Sequence, residues 1–195
     1  MRNQEDAIRS VRRYVGSALG SPPWRVRMRM DGRFQRPTAL VQDTSPAGWT
    51  AGGVETVAGG MQLSIQLFPP IASSGTENQL LAQRAADQLS DAIIMGVVDA
   101  HDSSVRGYRE LIPLWSYTDE DGDPLPLGMR ATKRTPKDFL RVMPGWSFQA
   151  IPEAPDDQLF VALGDLRVQW FRNAGLAEDG ALLQSVPIDV KSTVG

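Results

Sequence analysis

The 195 residues carry 20 basic and 23 acidic side chains, one histidine, 14 prolines, 18 glycines and no cysteine. That length suits a single domain with a sizeable core. The lack of cysteine excludes a disulfide framework, a thiolate metal site and a cysteine nucleophile, and no apolar run approaches bilayer-spanning length.

Residues 4–19 predict an amphipathic helix, because Ile8, Val11, Val15, Ala18 and Leu19 recur at helical spacing with Ala7 and Tyr14 beside them. Asn3 is the expected N-cap, Glu5 and Asp6 suit the positive helix end, and Gly20 followed by Pro22-Pro23 stops the helix. Arg9, Arg12 and Arg13 are expected to leave one face basic. Residues 24–30 alternate Trp24, Val26, Met28 and Met30 with Arg25, Arg27 and Arg29, the pattern of a half-buried strand with one cationic, wet face. Asp31-Gly32 marks a turn, and residues 38–42 a shorter strand. Residues 44–60, rich in Gly, Ala, Ser and Thr, are expected to form a long loop, either an ordinary flexible hairpin tip or, with Gly52 and Gly53 marking it, a segment that orders against a neighbouring subunit.

Met61, Leu63, Ile65 and Leu67 alternate with Gln62, Ser64 and Gln66, which predicts a one-sided strand stopped by Pro69-Pro70. Ser74 and Glu77 match a capping box. A long helix follows to about Val98, through Leu80, Leu81, Ala85, Leu89, Ala92, Ile93 and Val97, and is expected to cover the sheet. A strand near 110–117 contains Pro113, which points to a sheet edge or a bulge. Further strands are expected at 139–142, 146–151 and 159–171, after an acidic turn at 119–123. From about 173 the pattern fades into a polar tail. Strands segregated from helices predict an α+β fold. Its largely antiparallel or mixed sheet packs on one long and one shorter helix, with a single domain at 1–172 and a C-terminal arm at 173–195.

Charge is unevenly spread. Residues 1–36 hold nine arginines against three acidic groups, and residues 37–195 hold 11 basic and 20 acidic groups. Segregation of this kind can bring surfaces of opposite sign together. The Arg25, Arg27 and Arg29 stripe has three expected uses: an ion-paired subunit junction, non-specific contact with DNA in a ring lumen, or plain solvation.

Catalysis has little to work with. A triad would have to use His101, and the adjacent Asp102, Ser103 and Ser104 cannot supply triad geometry by sequence proximity alone. One imidazole and no thiolate leave too few ligands for zinc. Asp119, Asp121 and Asp123 fall short of a calcium loop, because Pro124 occupies the glycine position and Arg130 the bidentate glutamate position. Gly52-Gly53 and Gly59-Gly60 lack the Gly-Lys-Ser/Thr ending of a phosphate cradle. No enzyme activity, metal or cofactor is expected.

Several segments resemble tail terminator proteins of long-tailed (siphovirus-type) bacteriophages of actinobacterial hosts. They are the opening helix through residues 7–19, Gln66-Leu67-Phe68-Pro69, Ile112-Pro113-Leu114-Trp115, Asp138-Phe139-Leu140-Arg141-Val142, Asp156-Asp157-Gln158-Leu159 and Asp165-Leu166-Arg167-Val168-Gln169-Trp170. The likeness spans most of residues 4–171 as element order and short phrases. It implies a virion protein at the tail–neck junction, assembled in the host cytoplasm, that closes into a hexameric ring. Such a ring caps the tail tube, stops polymerisation of the tube protein and joins the tail to the head–tail connector, with no membrane partner. Another neck protein, such as a connector or completion protein, is the alternative of the same class. A non-specific DNA-binding module is the alternative outside it.

Overall fold

The computed structural model describes residues 4–20, 23–29, 35–45, 50–52, 56–100, 102–117, 125–126, 133–154 and 158–173. In chain order these form α1 (Gln4–Leu19), β1 (Arg25–Arg27), β2 (Thr38–Asp43), β3 (Thr50–Gly52), β4 (Thr56–Phe68), α2 (Gly75–Met95), β5 (Leu111–Ser116), β6 (Lys133–Val142), β7 (Ser147–Pro152) and β8 (Phe160–Asn173). All eight strands join one mixed sheet. Its path runs β1-β2-β4-β8-β6-β5, with β3 beside β4 and β7 beside β8, and only β1 and β2 pair in parallel. The fold is α+β, as the segregation of strands from helices predicts.

Two long strands form the spine. β4 pairs with β8 from Thr56↔Asn173 to Leu67↔Ala162. Along β4 the apolar residues Met61, Leu63, Ile65 and Leu67 have no exposed surface, while Gln62, Ser64 and Gln66 on the other face are half-buried. Each of those four apolar side chains contributes about 1.5–3 kcal/mol by leaving water. Ala162, Leu166 and Val168 of β8 bury on the same side, opposite exposed Asp165 and Arg167. α2 packs on β7, β8 and β4, and α1 packs on β5, β1, β2 and α2.

The capping signal at Ser74 holds: its Oγ accepts the Glu77 backbone N–H at 3.3 Å. The Glu77 carboxylate turns to the Ser73 hydroxyl, at 3.0 Å. Gly96 ends α2 with φ 76°, its N–H donating to the Ala92 carbonyl at 2.7 Å. A side chain at that φ is strained, and a Cβ there would also collide with the Gly107 carbonyl.

The sheet curls so that both end strands of its path reach α1. At β5 the Ser10 Oγ accepts the Trp115 N–H at 2.9 Å, and the Asp6 carboxylate accepts the Tyr117 N–H at 2.8 Å. At β1 the Arg12 guanidinium donates to the Val26 carbonyl at 3.0 Å. One helix therefore supplies hydrogen-bond partners to two strand edges that would otherwise invite pairing with another chain. This explains why α1 buries Asp6 and Ser10 as well as its apolar stripe. Pro113 sits as expected, in an end strand and at a register shift between Pro113 and Trp115.

Several expectations are corrected. Residues 44–60 are not one long loop: Thr50–Gly52 and the first residues of β4 form an antiparallel pair, with Thr50 opposite Gly59 and Gly52 opposite Val57. Main-chain bonds carry that ladder, so the Gly- and Thr-rich sequence shows no alternation to reveal it. Gly52 is thus a strand residue and not a loop residue, while Gly53 lies outside the described residues. β1 has three residues rather than seven, and β6 begins at Lys133 rather than 139. Leu80, expected on the sheet-covering face of α2, is 49% exposed. Arg9, Arg12 and Arg13 do not form a solvated face, for reasons given below. Asn3, the Asp31-Gly32 and 119–123 turns and the C-terminal segment 174–195 lie outside the described residues. Among the described residues no helix is long and apolar enough to cross a membrane.

Candidate subunit-interaction surface

Four of the nine N-terminal arginines are turned into the fold. Arg9 is 5% exposed. Its guanidinium donates to the carbonyls of Leu125 (2.7 Å) and Pro126 (2.9 Å), reaches the Glu5 carboxylate at 3.4 Å and lies 4.4 Å from the Tyr117 ring centre. Arg13 binds Asp99 through two hydrogen bonds and stacks on Trp115. Burial alone would lower its basicity, but the hydrogen bonds and charge of Asp99, with Tyr117, outweigh burial and raise it. Arg12 shows the opposite balance. Burial, then repulsion from Arg9, lowers it, and its Nε is buried without a partner. Arg36 pairs with Glu153 and lies 5.5 Å from the Phe68 ring centre.

Among the described residues Arg25, Arg27 and Arg29 are the N-terminal arginines left at the surface, while Arg2 and Arg33 lie outside the described residues. Trp24 and Val26 pack against the core and fix the strand's inner face. The Arg25 N–H bonds the Pro37 carbonyl at 3.3 Å, and β1 lies in register with β2 from Arg25↔Thr38 to Arg27↔Leu40. Arg25 and Arg29 are exposed and Arg27 is half-buried. Among the described residues none of the three has an acidic partner. The outer side of β1 and the bend after it thus carries the side chains of Arg25, Arg27 and Arg29.

A second surface lies on the outer side of α2, and the sequence reading missed it. Ala82, Ala85, Leu89, Ala92 and Ile93 face the core, whereas Leu80, Arg84, Asp87, Asp91 and Ile94 share the opposite face at helical spacing. Met95 beside them is 70% exposed, and exposed Val98 and Tyr108 lie just past the helix end. Apolar residues on a face turned away from the core were the available signal. Ile94, Met95, Val98 and Tyr108 expose apolar side chains around the carboxyl end of the helix, and Leu80 does so near its amino end. Next to the N-terminal half of α2 lies an open depression of about 520 Å³, lined by Ala72, Ser73, Glu77, Leu80, Leu81 and Arg84.

Neither surface gathers reactive groups. The small cleft beside Ser10, Tyr14 and Asp99 measures about 10 Å³, room for about one water molecule. Among the described residues no cluster of His, Asp or Glu has the makings of a metal site. His101 lies outside the described residues. Its neighbour Asp102 accepts hydrogen bonds from the Ser104 hydroxyl (2.6 Å) and N–H (3.0 Å), which hold its carboxyl below the usual range and tie both residues into a local turn. The chain matches no protein-family profile, and no curated protein matches it.

Proposed function

We propose that this chain is a structural virion protein of a long-tailed phage, a tail terminator that assembles as a homo-hexameric ring at the tail–neck junction. In this reading the ring caps the tail tube, halts addition of tube protein and presents its other face to the head–tail connector. The protein carries out no catalytic step. The observation that carries the reading is the presence of two chemically different surfaces on one subunit, the arginine stripe of β1 and the acidic-apolar outer face of α2. A ring built head to tail needs two unlike, complementary patches related by a rotation that closes. The resemblance of residues 4–171 to tail terminators supplies the biological setting.

The test is native mass measurement and negative-stain imaging of the purified protein, alone and with tail tubes. The expected result is a closed ring of six copies seated on one tube end, with elongation stopped. Tubes that keep growing beside monomeric protein would overturn the reading. A ring that binds the connector but not the tube would favour another neck protein.

A further inference from the structure

We infer that the arginine stripe of one subunit docks lengthwise on the outer face of α2 of the next, with Arg25 and Arg27 pairing with Asp87 and Asp91. This rests on the ring reading above and names the contact that builds the ring.

Spacing carries the argument. Residues two apart on a strand are about 6.6 Å apart along it. Residues four apart on a helix rise about 6 Å. Arg25 and Arg27 thus match the pitch of Asp87 and Asp91, and the stripe continues toward Met95 and the helix end. Laid parallel to α2, β1 points its end at Arg27 toward the carboxyl end of the helix, and Arg29 follows in the bend beyond it. The carboxyl end carries partial negative charge, and α2 has no basic residue in its last turn to offset it.

Arg84 shares this face, yet the two aspartates form no ion pair with it or with any other described residue. Asp87 and Asp91 are exposed like charges at i and i+4, an arrangement that weakens an isolated helix. Asp87 accepts a hydrogen bond from Gln83 at 2.8 Å, and among the described residues neither aspartate has a cationic partner within 4 Å, Arg84 included. Arginine suits the mixed character of the surface. Its guanidinium groups reach the carboxylates while its aliphatic stems cover Ile94 and Met95. The two surfaces also belong to separate parts of the fold: β1 is an end strand of the sheet beside β2 and α1, whereas α2 packs on β7, β8 and β4. A subunit whose stripe is engaged still offers its α2 face, so the contact can propagate round a ring.

The test uses the full chain in three forms: wild type, R25E/R27E and D87R/D91R. Sedimentation reads the concentration at which rings form. Each reversed variant alone sets like charges against each other, and the half-assembly concentration is expected to rise about tenfold or more. An equimolar mixture of the two variants is expected to restore rings with alternating subunits, because each stripe then meets a face of opposite sign. The milder D87N/D91N variant alters only exposed side chains, leaves folding intact and is expected to weaken assembly in the same direction. Rings of wild type that persist unchanged in both reversed variants overturn this contact and leave the ring reading standing. Wild-type protein that never associates, with or without tubes, overturns both.

Discussion

The Arg13 guanidinium holds the Asp99 carboxylate through hydrogen bonds of 2.6 and 2.8 Å and lies 3.7 Å from the Trp115 ring centre. It links α1 to the segment after α2 and to β5. Both partners are largely buried, with side chains 12% and 6% exposed. Replacing Asp99 by Ala leaves a guanidinium without its counter-charge, and we expect a loss of about 3 kcal/mol in urea unfolding. The double variant R13M/D99L removes both charges and is expected to lose less than D99A alone. A double variant as damaged as the sum of its singles would contradict the coupling.

Ser10 and Asp6 close the β5 edge from α1. Ser10→Ala removes the acceptor of the Trp115 N–H, and a cost of about 1–2 kcal/mol is expected. Amide exchange at Trp115 should accelerate relative to Ile112. Asp6→Asn keeps an oxygen for the Tyr117 N–H and should cost less than Asp6→Leu. Equal losses in the two Asp6 variants would show that the carboxylate's charge, and not its acceptor, matters at this edge.

Gly164 pairs with Phe148 in the antiparallel β7–β8 ladder. A Cβ there would collide with the Ser147 carbonyl and the Phe148 ring. Gly164→Ala should therefore destabilise by about 1–3 kcal/mol through overpacking. Loss of β7 protection in hydrogen exchange would locate the damage, and a neutral substitution would refute the close approach.

Tyr14 predicts an alkaline limit. Burial pushes its phenol well above the ordinary value of 10, and burial raises Tyr117 as well. The folded state keeps these phenols neutral while the unfolded chain releases their protons near pH 10. Their contribution is complete below pH 10 and falls as pH rises above it. Tyr14→Phe loses the 2.6 Å bond to the Ala92 carbonyl, about 1 kcal/mol at neutral pH. It should also flatten the decline in stability above pH 10, with Tyr117 accounting for the remainder. An unchanged alkaline slope would count against Tyr14 as its source.

What was legible in the sequence follows the range of the forces involved. The bounds of α1, the apolar half of β4, the Ser74 cap and the edge position of Pro113 all rest on neighbours within a turn or on a two-residue alternation. Where two long-range partners set the outcome, local pattern misled. Arg9 and Arg13 look like a solvated face until the carbonyls at 125–126 and the Asp99 carboxylate come within reach. Leu80 looks like core until the Ala85–Leu89 face of the helix takes that place.

By itself the sequence determined the class of fold, the two helices and the cationic strand, because periodicity and capping act through adjacent residues. Only the tertiary structure decided which charges remain at the surface. It set α1 against both ends of the curled sheet, drew four arginines inward and left Arg25, Arg27 and Arg29 facing outward. A guanidinium's fate depends on distant acceptors, as with Arg9 and the Pro126 carbonyl 117 residues along the chain, and only folding brings them to it.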